Sequence, residues 1–510
     1  MSPQLSNTGE ITKNLGALLP DLGLSEEQAA ISVAGIQNDS RKVAPGELFL
    51  ALPGTITDGG RYIAQAIEKG AAAVLVDNTV VDTASTALNS QLNNFLAPSI
   101  EIENLSSKTG EIAARFYDEP SRSLNVVAIT GTNGKTSCGR IIAELAEYSD
   151  TKCLVIGTTG NGFSGQLEKA SHTTPDAIEI QKLLAWGRDQ HAEMVSMEVS
   201  SHGLEQNRLS GVCVSTAVFT NLTRDHLDYH GSMQAYGEAK QKLFSLPELS
   251  HAVINVDDQF GRELLNNLPD SVDGLSYSLV SEDAALYARK IENSNGICAD
   301  IKTPWGNGRI TCSLLGDFNL SNCLAAIGAL CVSGFALEKV LAGIKTLKPV
   351  EGRMESFGGE LQPTVIVDFA HTPDALEKAL TQIKQVCSGN LICVFGCGGD
   401  RDKGKRPLMG EIADRFCDQV ILTDDNPRNE NPNIITDEIV AGIGAMEKLT
   451  VIHDREASIT RAIDNAQSGD FVLIAGKGHE QTQQYQNESV WFCDREVVQR
   501  ILSRGDNDGE

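Results

Sequence analysis

The chain has 510 residues, room for about three domains of ordinary size. Its 42 Lys and Arg against 68 Asp and Glu give a net charge of −26, a field that opposes non-specific binding to nucleic acid or anionic membranes. No apolar run approaches the ~20 residues of a membrane span, and the start lacks the pattern of a secretory signal; with 12 cysteines in no metal-binding spacing, the expectation is a cytoplasmic protein with reduced thiols.

From the N-terminus, Gly46 to Leu52 reads as a strand, Tyr62 to Lys69 as a helix and Ala71 to Val76 as a second strand, a small α/β unit. Pro120 to Ser123 marks a linker. Beyond it the apolar run Val126 to Ile129 enters the loop Gly131-Thr132-Asn133-Gly134-Lys135-Thr136, and a helical segment follows from Ser137 to Tyr148. Strand, glycine loop and helix in that order form a phosphate cradle. The glycines admit backbone N–H groups to an anion, Lys135 brings a positive charge to the outer phosphates, and the Thr136 hydroxyl suits Mg²⁺. The earlier glycine of the longer loop is replaced by Ile129, which argues against an ordinary GTPase or kinase.

Further strands are expected at Cys153 to Ile156, Met194 to Val199, Val214 to Thr220 and Ala252 to Asn255. Glu198 falls near the end of one of them, where a buried carboxylate needs a partner that a metal would supply. His226 follows another, as a nitrogen ligand or as a hydrogen-bonded loop histidine. Lys240 lies in the helical stretch Tyr236 to Phe244, and taken alone it reads as a surface lysine with its stem on apolar neighbours.

A second joint is expected near Lys348 to Gly352. Past it, strands at Thr364 to Val367, Leu391 to Phe395, Gln419 to Leu422 and Phe471 to Ala475 alternate with helices, the pattern of a parallel sheet. Each strand runs into a polar cluster: Asp368 to His371, Gly396 to Arg401, Thr423 to Arg428, and Gly476 to Glu480. Ligands bind at the carboxyl ends of such strands, so the clusters are expected to share one edge. The reading is an α/β chain of three domains: residues 1–122, residues 123–350 with a P-loop-type ATPase sheet of mainly parallel strands, and residues 351–510 with a Rossmann-like sheet.

The order of Gly131 to Thr136, Glu198 to His202, Asn221 with Asp225 and His226, Tyr236 with Lys240, Gly316 to Asn322, Gly352 with Arg353, and Asp368 to His371 resembles the Mur ligase family along nearly the whole chain. Asp39 to Arg41 and Gly398 to Pro407 resemble the members that add the third residue of the peptidoglycan stem peptide. The resemblance implies an N-terminal domain for the UDP end of a precursor, a central ATPase and a C-terminal amino-acid-binding domain. It also implies ATP and Mg²⁺ as cofactors, with phosphorylation of the D-Glu carboxylate of UDP-N-acetylmuramoyl-L-Ala-D-Glu followed by attack of an amine. A monomer is expected, with these small molecules as partners and neither nucleic acid nor membrane insertion.

Carried over by position, Gly131, Thr132, Asn133, Gly134, Lys135, Thr136 and Ser137 hold the ATP phosphates, and Thr136 and Glu198 bind one Mg²⁺. His226 binds a second. Lys240 matches the lysine that CO₂ carbamylates in this family, which turns a cation into an anion fit to sit near metal ions. Asn319 matches an adenine contact, Arg353 a phosphate contact and Asp368 a ribose contact. Thr173, Thr174, Ser200, Gln206 and Arg208 match the muramoyl-dipeptide site; Ser40 and Thr55, Ile56 and Thr57 match the uridine pocket, where Asn38 stands at a position expected to be apolar in relatives. His172 departs from the asparagine common in relatives.

Asp425-Asn426-Pro427-Arg428 resembles the diaminopimelate-adding members, and Arg401, Gly476 and Glu480 match the remaining amino-acid contacts. Meso-diaminopimelate carries a second carboxylate that lysine lacks, and an arginine fork meets a carboxylate with two parallel bonds. The alternatives are a lysine-adding member, a folylpolyglutamate-type synthetase and a nucleotide switch. A switch has no need of a third domain rich in amino-acid-binding groups, and no Asn-Lys-x-Asp guanine signature is present.

Overall fold

The computed structural model describes residues 11–54, 58–80, 97–170, 172–291, 296–359, 361–486 and 488–505. Near the N-terminus, Ile36–Gln37, Leu48–Ala51, Ala73–Asp77 and Ser99–Ile102 form a sheet in which each strand lies parallel to the next. The helix Leu105–Phe116 leaves this sheet and shares a core with the helix Ala177–Asp189 through Ile112, Ala113, Ile178 and Ala185. The expected linker is a packed 3₁₀ turn, Pro120–Ser123, with Pro120 and Ser121 buried and Ser121 Oγ accepting the Cys213 N–H at 3.0 Å.

Asn125–Thr130 lies at the centre of an 11-stranded sheet. Cys153–Gly157, Met194–Glu198, Thr216–Phe219 and His251–Asn255 run parallel to it in the order 153–157, 194–198, 125–130, 216–219, 251–255. These strands are near-continuous apolar runs because helices cover both faces. Lys135–Tyr148 and Asp317–Val332, apolar from Cys323 onward, pack on one face, and Ala177–Asp189 packs on the other. Register places Glu198 beside Ile129 and Phe219 beside Thr130, so the phosphate loop, Glu198 and the segment from Asn221 leave a common edge.

Both margins of this sheet turn antiparallel, which the sequence reading did not anticipate. Gly160–Phe163 pairs with Gln166–Glu168 at one margin; Leu286–Ile291, Ile297–Thr303 and Gly306–Cys312 form a meander at the other. Ile297–Thr303 alternates between inward and outward residues, the pattern of a strand covered on one face only.

The C-terminal sheet has the order 355–358, 364–368, 471–475, 391–395, 419–422, 449–451, and only its first strand, Glu355–Gly358, is antiparallel. Its four polar clusters therefore do leave one edge. Arg455, buried in the helix Arg455–Asn465, ties two of those strand ends together. Its Nε and Nη2 meet Asp494 Oδ1 and Oδ2 at 2.8 and 2.9 Å, and Nη2 also donates to the Ala475 carbonyl at 2.9 Å. Among the described residues, no helix is long and apolar enough to cross a membrane.

Asp494→Asn would leave the Arg455 guanidinium buried without a counter-charge. Removal of one partner from a buried pair costs about 3–5 kcal/mol. Chemical denaturation followed by a C-terminal fluorescence probe should show that loss, whereas a change under about 1 kcal/mol would place the pair outside the fold's framework.

Candidate functional site

The phosphate loop is shaped by close approach. A Cβ on Gly131 would stand 1.9 Å from Thr220 Oγ1, and Gly134 has φ +87, so neither position accepts a side chain without rearrangement. The helix Lys135–Tyr148 starts with no side-chain cap, which leaves its first N–H groups to an anion. Asn221 Oδ1 accepts the Asn133 N–H at 2.9 Å and so holds the loop from the neighbouring strand end. Lys135 Nζ curls onto the Gly131 and Thr132 carbonyls at 2.9 and 2.8 Å, and desolvation depresses its pKa.

Beside the loop lies a cavity of about 520 Å³ lined by Asn133, Gly134, Ser137, Phe318, Asn322, Arg353, Asp368 and Lys378, among others. Arg353 Nη2 reaches Thr136 Oγ1 at 3.3 Å, its guanidinium lies 4.3 Å over the Phe369 ring, and its buried Nε has no acceptor among the described residues. A buried guanidinium with an unpaired N–H facing an uncapped helix start fits a phosphate. Asp368 accepts the Met354 and Ala370 N–H groups at 2.7 and 2.8 Å, and burial raises its pKa. Asn319 donates to the Leu315 carbonyl at 2.8 Å; Phe318 and Asn322 from the same helix, both within the Gly316 to Asn322 motif but given no role by the sequence, line the cavity wall.

Glu198 is buried and accepts from Thr136 Oγ1 at 2.8 Å, Thr158 N at 2.9 Å and Thr158 Oγ1 at 3.0 Å. Among the described residues, no three His, Cys, Asp or Glu side chains gather to hold a metal ion. One carboxylate with hydroxyls is instead the donor set that Mg²⁺ accepts when waters and phosphates complete its shell, so the residues fit that ion. All twelve cysteines are free thiols, and Cys393 and Cys397 are both buried.

Lys240 is 1% exposed, which overturns its bare reading as a surface lysine. Its Nζ donates to the Gly131 carbonyl at 2.8 Å and lies 4.4 Å from the centre of the Tyr236 ring. Burial, reinforced by the Lys135 charge, holds its pKa well below that of a free lysine. His226 takes φ +54 and stacks edge-on with His202 at 4.9 Å. Burial lowers its pKa to about 3, so it stands as a neutral imidazole able to serve as a ligand.

Asp225, next to His226, meets His371 Nε2 at 3.6 Å and Lys405 Nζ at 3.8 Å. Burial pushes its carboxyl up, but the His371 bond and the Lys405 charge outweigh it and hold the group well below the usual carboxylate range. Arg224 grips Asp402 with two bonds of 3.0 and 3.1 Å, and Asn133 Nδ2 donates to Asp374 Oδ2 at 3.1 Å. Through these contacts the strand ends of the central and C-terminal sheets face each other.

On the C-terminal side, Asp425, Asn426 and Pro427 are buried, and Arg428 adopts φ +53, a strained backbone for a non-glycine residue. Arg428 Nη1 donates to the Gly399 carbonyl at 2.8 Å. Desolvation lowers the pKa of Arg428, and the nearby charge of the exposed Arg401 lowers it further. A Cβ on Gly476 would lie 2.5 Å from Asp425 Oδ2. Glu480 accepts from Asn426 Nδ2 and Lys477 Nζ, both at 2.9 Å.

Thr174 Oγ1 donates to the Glu198 carbonyl at 2.9 Å and contacts Ser200 Oγ at 3.2 Å; Thr173 Oγ1 contacts Thr158 Oγ1 at 3.0 Å. Arg208 Nη2 bonds Gln206 Oε1 at 2.7 Å, and Gln206 Nε2 reaches Tyr229 Oη at 3.2 Å. These five positions thus assemble next to Glu198. Ser40 is buried on Gln65 at 2.7 Å and Asn38 is exposed. Thr55, Ile56 and Thr57 lie outside the described residues. The sequence reading also passed over Arg224, Asp402, Lys405 and Lys477; charged residues inside glycine-rich strand-end loops were the available signal.

Residues 32–117 match the description "Mur ligase family, catalytic domain", residues 129–330 "Mur ligase middle domain" and residues 352–478 "Mur ligase, glutamate ligase domain". A Coxiella burnetii protein named UDP-N-acetylmuramoyl-L-alanyl-D-glutamate–2,6-diaminopimelate ligase is 45% identical over 479 residues, 93% of this chain and 96% of the relative. The protein of that name from Pseudomonas aeruginosa is 47% identical over 466 residues, 91% and 94% of the two chains. A solved structure with the same name superimposes with a TM-score of 0.69 at 36% identity, covering 97% of this chain and 99% of that one. Folylpolyglutamate synthase from Mycobacterium tuberculosis, at 17% identity and a TM-score of 0.61 over 72% of this chain and 92% of that one, shares the fold.

Burial lowers the pKa of His202 to about 4, of His226 to about 3 and of His479 to about 4, from 6.5. As pH falls below 6.5, the unfolded chain takes up protons at these positions and the folded chain does not, so their linkage lowers stability between pH 6.5 and about 4. The His202 and His226 imidazole signals should stay neutral in NMR spectra down to about pH 5, and protonation near the ordinary value would contradict their placement.

Proposed function

Because this chain belongs to the Mur ligase family, we propose that it is an ATP-dependent amide ligase that joins meso-diaminopimelate to the D-Glu carboxylate of UDP-N-acetylmuramoyl-L-Ala-D-Glu in peptidoglycan precursor synthesis. The observation that carries this reading is the meeting of two strand-end edges. Arg353 reaches Thr136 and Asn133 reaches Asp374 across the phosphate loop.

A carboxylate resists attack by an amine until one oxygen becomes a leaving group. Transfer of the ATP γ-phosphoryl group to the D-Glu carboxylate releases ADP and forms an acyl phosphate. The amine attacks the carbonyl carbon, and the tetrahedral adduct expels phosphate as the nitrogen loses its proton. The work of the protein is alignment and charge neutralisation.

We assign the phosphates to the loop from Gly131 to Ser137, with Lys135 and Arg353 at the charge that develops on the transferred group. The purine half of the nucleotide goes to the cavity walled by Phe318 and Asn322, near Asn319, with Asp368 towards the ribose. Mg²⁺, when bound, would neutralise the crowded phosphate oxygens; Thr136 and Glu198 would hold one ion and His226 a second, which Lys240 would help to position. Lys240 is suited to carry a carbamate, because its depressed pKa supplies the neutral amine that CO₂ requires; N–C bond formation and loss of a proton give an anion.

Thr173, Thr174, Ser200, Gln206 and Arg208 take the muramoyl dipeptide next to Glu198, and Asn38 and Ser40 lie towards its uridine end. The second carboxylate of diaminopimelate goes to Arg401 and Arg428, and Glu480 takes an ammonium group. We divide the chain into units of residues 1–122, 123–350 and 351–510, which together supply every group the reaction needs. A cytoplasmic monomer is therefore a sufficient working unit.

Phosphate release from ATP with the precursor present should require meso-diaminopimelate and yield a product of tripeptide mass; release with no amino acid, or only with L-lysine, overturns the assignment. Arg428→Ala should raise the KM for diaminopimelate by about 10- to 100-fold, as expected for a lost charge-assisted pair, with the KM for ATP nearly unchanged. Lys240→Ala should abolish turnover and recover part of it when short carboxylic acids are added; full activity without them would remove the carbamate from the account.

A further inference from the structure

We infer that Lys477 is a specificity-setting positioning residue: its buried ammonium group orients Asn426 and Glu480 so that one oxygen of Glu480 is presented to the incoming amino acid. The inference rests on the ligase reading above and concerns the same site.

Lys477 follows the strand Phe471–Ala475 and is 0% exposed. Its Nζ donates to Asn426 Oδ1 at 3.2 Å, Glu480 Oε2 at 2.9 Å and the Thr482 carbonyl at 2.7 Å. All three ammonium hydrogens are thereby engaged, and the acceptors come from three segments: the loop after Gln419–Leu422, the loop that carries Lys477 itself, and the hairpin strand Thr482–Tyr485. An apolar residue would fill the same space without the desolvation cost of a buried charge, so packing alone gives no reason for a lysine here.

The consequence falls on Asn426. Its Oδ1 accepts from Lys477 and from the Gln484 N–H at 3.0 Å, which leaves Nδ2 to donate to Glu480 Oε2 at 2.9 Å. The amide has one orientation that satisfies all three partners. Both donors to Glu480 fall on Oε2, so Oε1 is the oxygen available to a ligand ammonium. Burial lifts the Glu480 carboxyl, but the charge and the bond of Lys477 outweigh it and hold the group below the ordinary carboxylate range. Lys477 thus keeps the recognition carboxylate both ionised and aimed, while Arg401 and Arg428 take the opposite end of the amino acid.

The test is steady-state kinetics of the full chain, with the KM for meso-diaminopimelate, ATP and the precursor measured separately. Lys477→Met should raise the KM for diaminopimelate by about 30-fold or more, with the other two within about 3-fold of wild type, as expected for charge-assisted bonds lost at one subsite. A structural role would raise all three together, and that result overturns the inference, as does an unchanged KM for diaminopimelate. A second comparison places Lys477→Met on a Glu480→Gln background, which avoids a buried unpaired carboxylate if the single variant does not fold. Because Lys477 acts through Glu480, the added substitution should cost no more than about 5-fold there; a further loss of about 30-fold would show independent action and overturn the inference. A wild-type chain with no diaminopimelate-dependent turnover would instead overturn the ligase reading itself.

Discussion

Two cationic side chains and one buried lysine of depressed basicity converge on one glycine loop in a protein whose net charge is −26. Lys240 donates to the Gly131 carbonyl, Lys135 to the Gly131 and Thr132 carbonyls, and Arg353 to Thr136. Each is desolvated, Arg353 adds to the depression at Lys135, and Lys135 adds to that at Lys240. Glu198 and Asp225 offset only part of this charge. A polyanion completes it, and the surrounding architecture brings Lys135 and Arg353 to the loop in a desolvated setting.

Parallel-sheet topology makes that convergence possible. In both larger sheets the strands that carry function run parallel, so their polar loops leave a single edge. The two edges are then drawn together by the Arg224–Asp402 fork and by Asp225 with His371 and Lys405. Several non-glycine residues with positive φ lie along the junction: His226, Met354, Asp400 and Arg428. Strained backbone of this kind, of order 1–3 kcal/mol per residue, persists where the surroundings over-determine it, and here the surroundings are the site.

Much of this was legible in the sequence. The buried strands Leu391–Phe395, Gln419–Leu422 and Phe471–Ala475 have the bounds that their apolar runs indicate, because a strand covered on both faces is apolar throughout. The antiparallel margins were missed because Gly160–Phe163 and Gly306–Cys312 are rich in glycine and only partly buried, so their pattern resembles a loop. Burial of Lys240 was invisible to periodicity, since a lysine stem on an apolar face and a lysine reaching in to the Gly131 carbonyl have the same helical spacing; family resemblance alone singled it out. Lys477 and Arg455 escaped for the same reason. Their roles lie in contacts between distant strand ends, and a single chain read in one dimension does not display them.

The central claim is that the precursor carboxylate is activated by phosphoryl transfer within the space that these two edges enclose. The most direct measurement uses UDP-N-acetylmuramoyl-L-Ala-D-Glu labelled with ¹⁸O in the D-Glu side-chain carboxylate, turned over with ATP and meso-diaminopimelate, with mass analysis of the released phosphate. If an acyl phosphate forms, one labelled oxygen leaves with the phosphate when the C–O bond breaks. Phosphate free of label, with tripeptide still produced, would contradict the account.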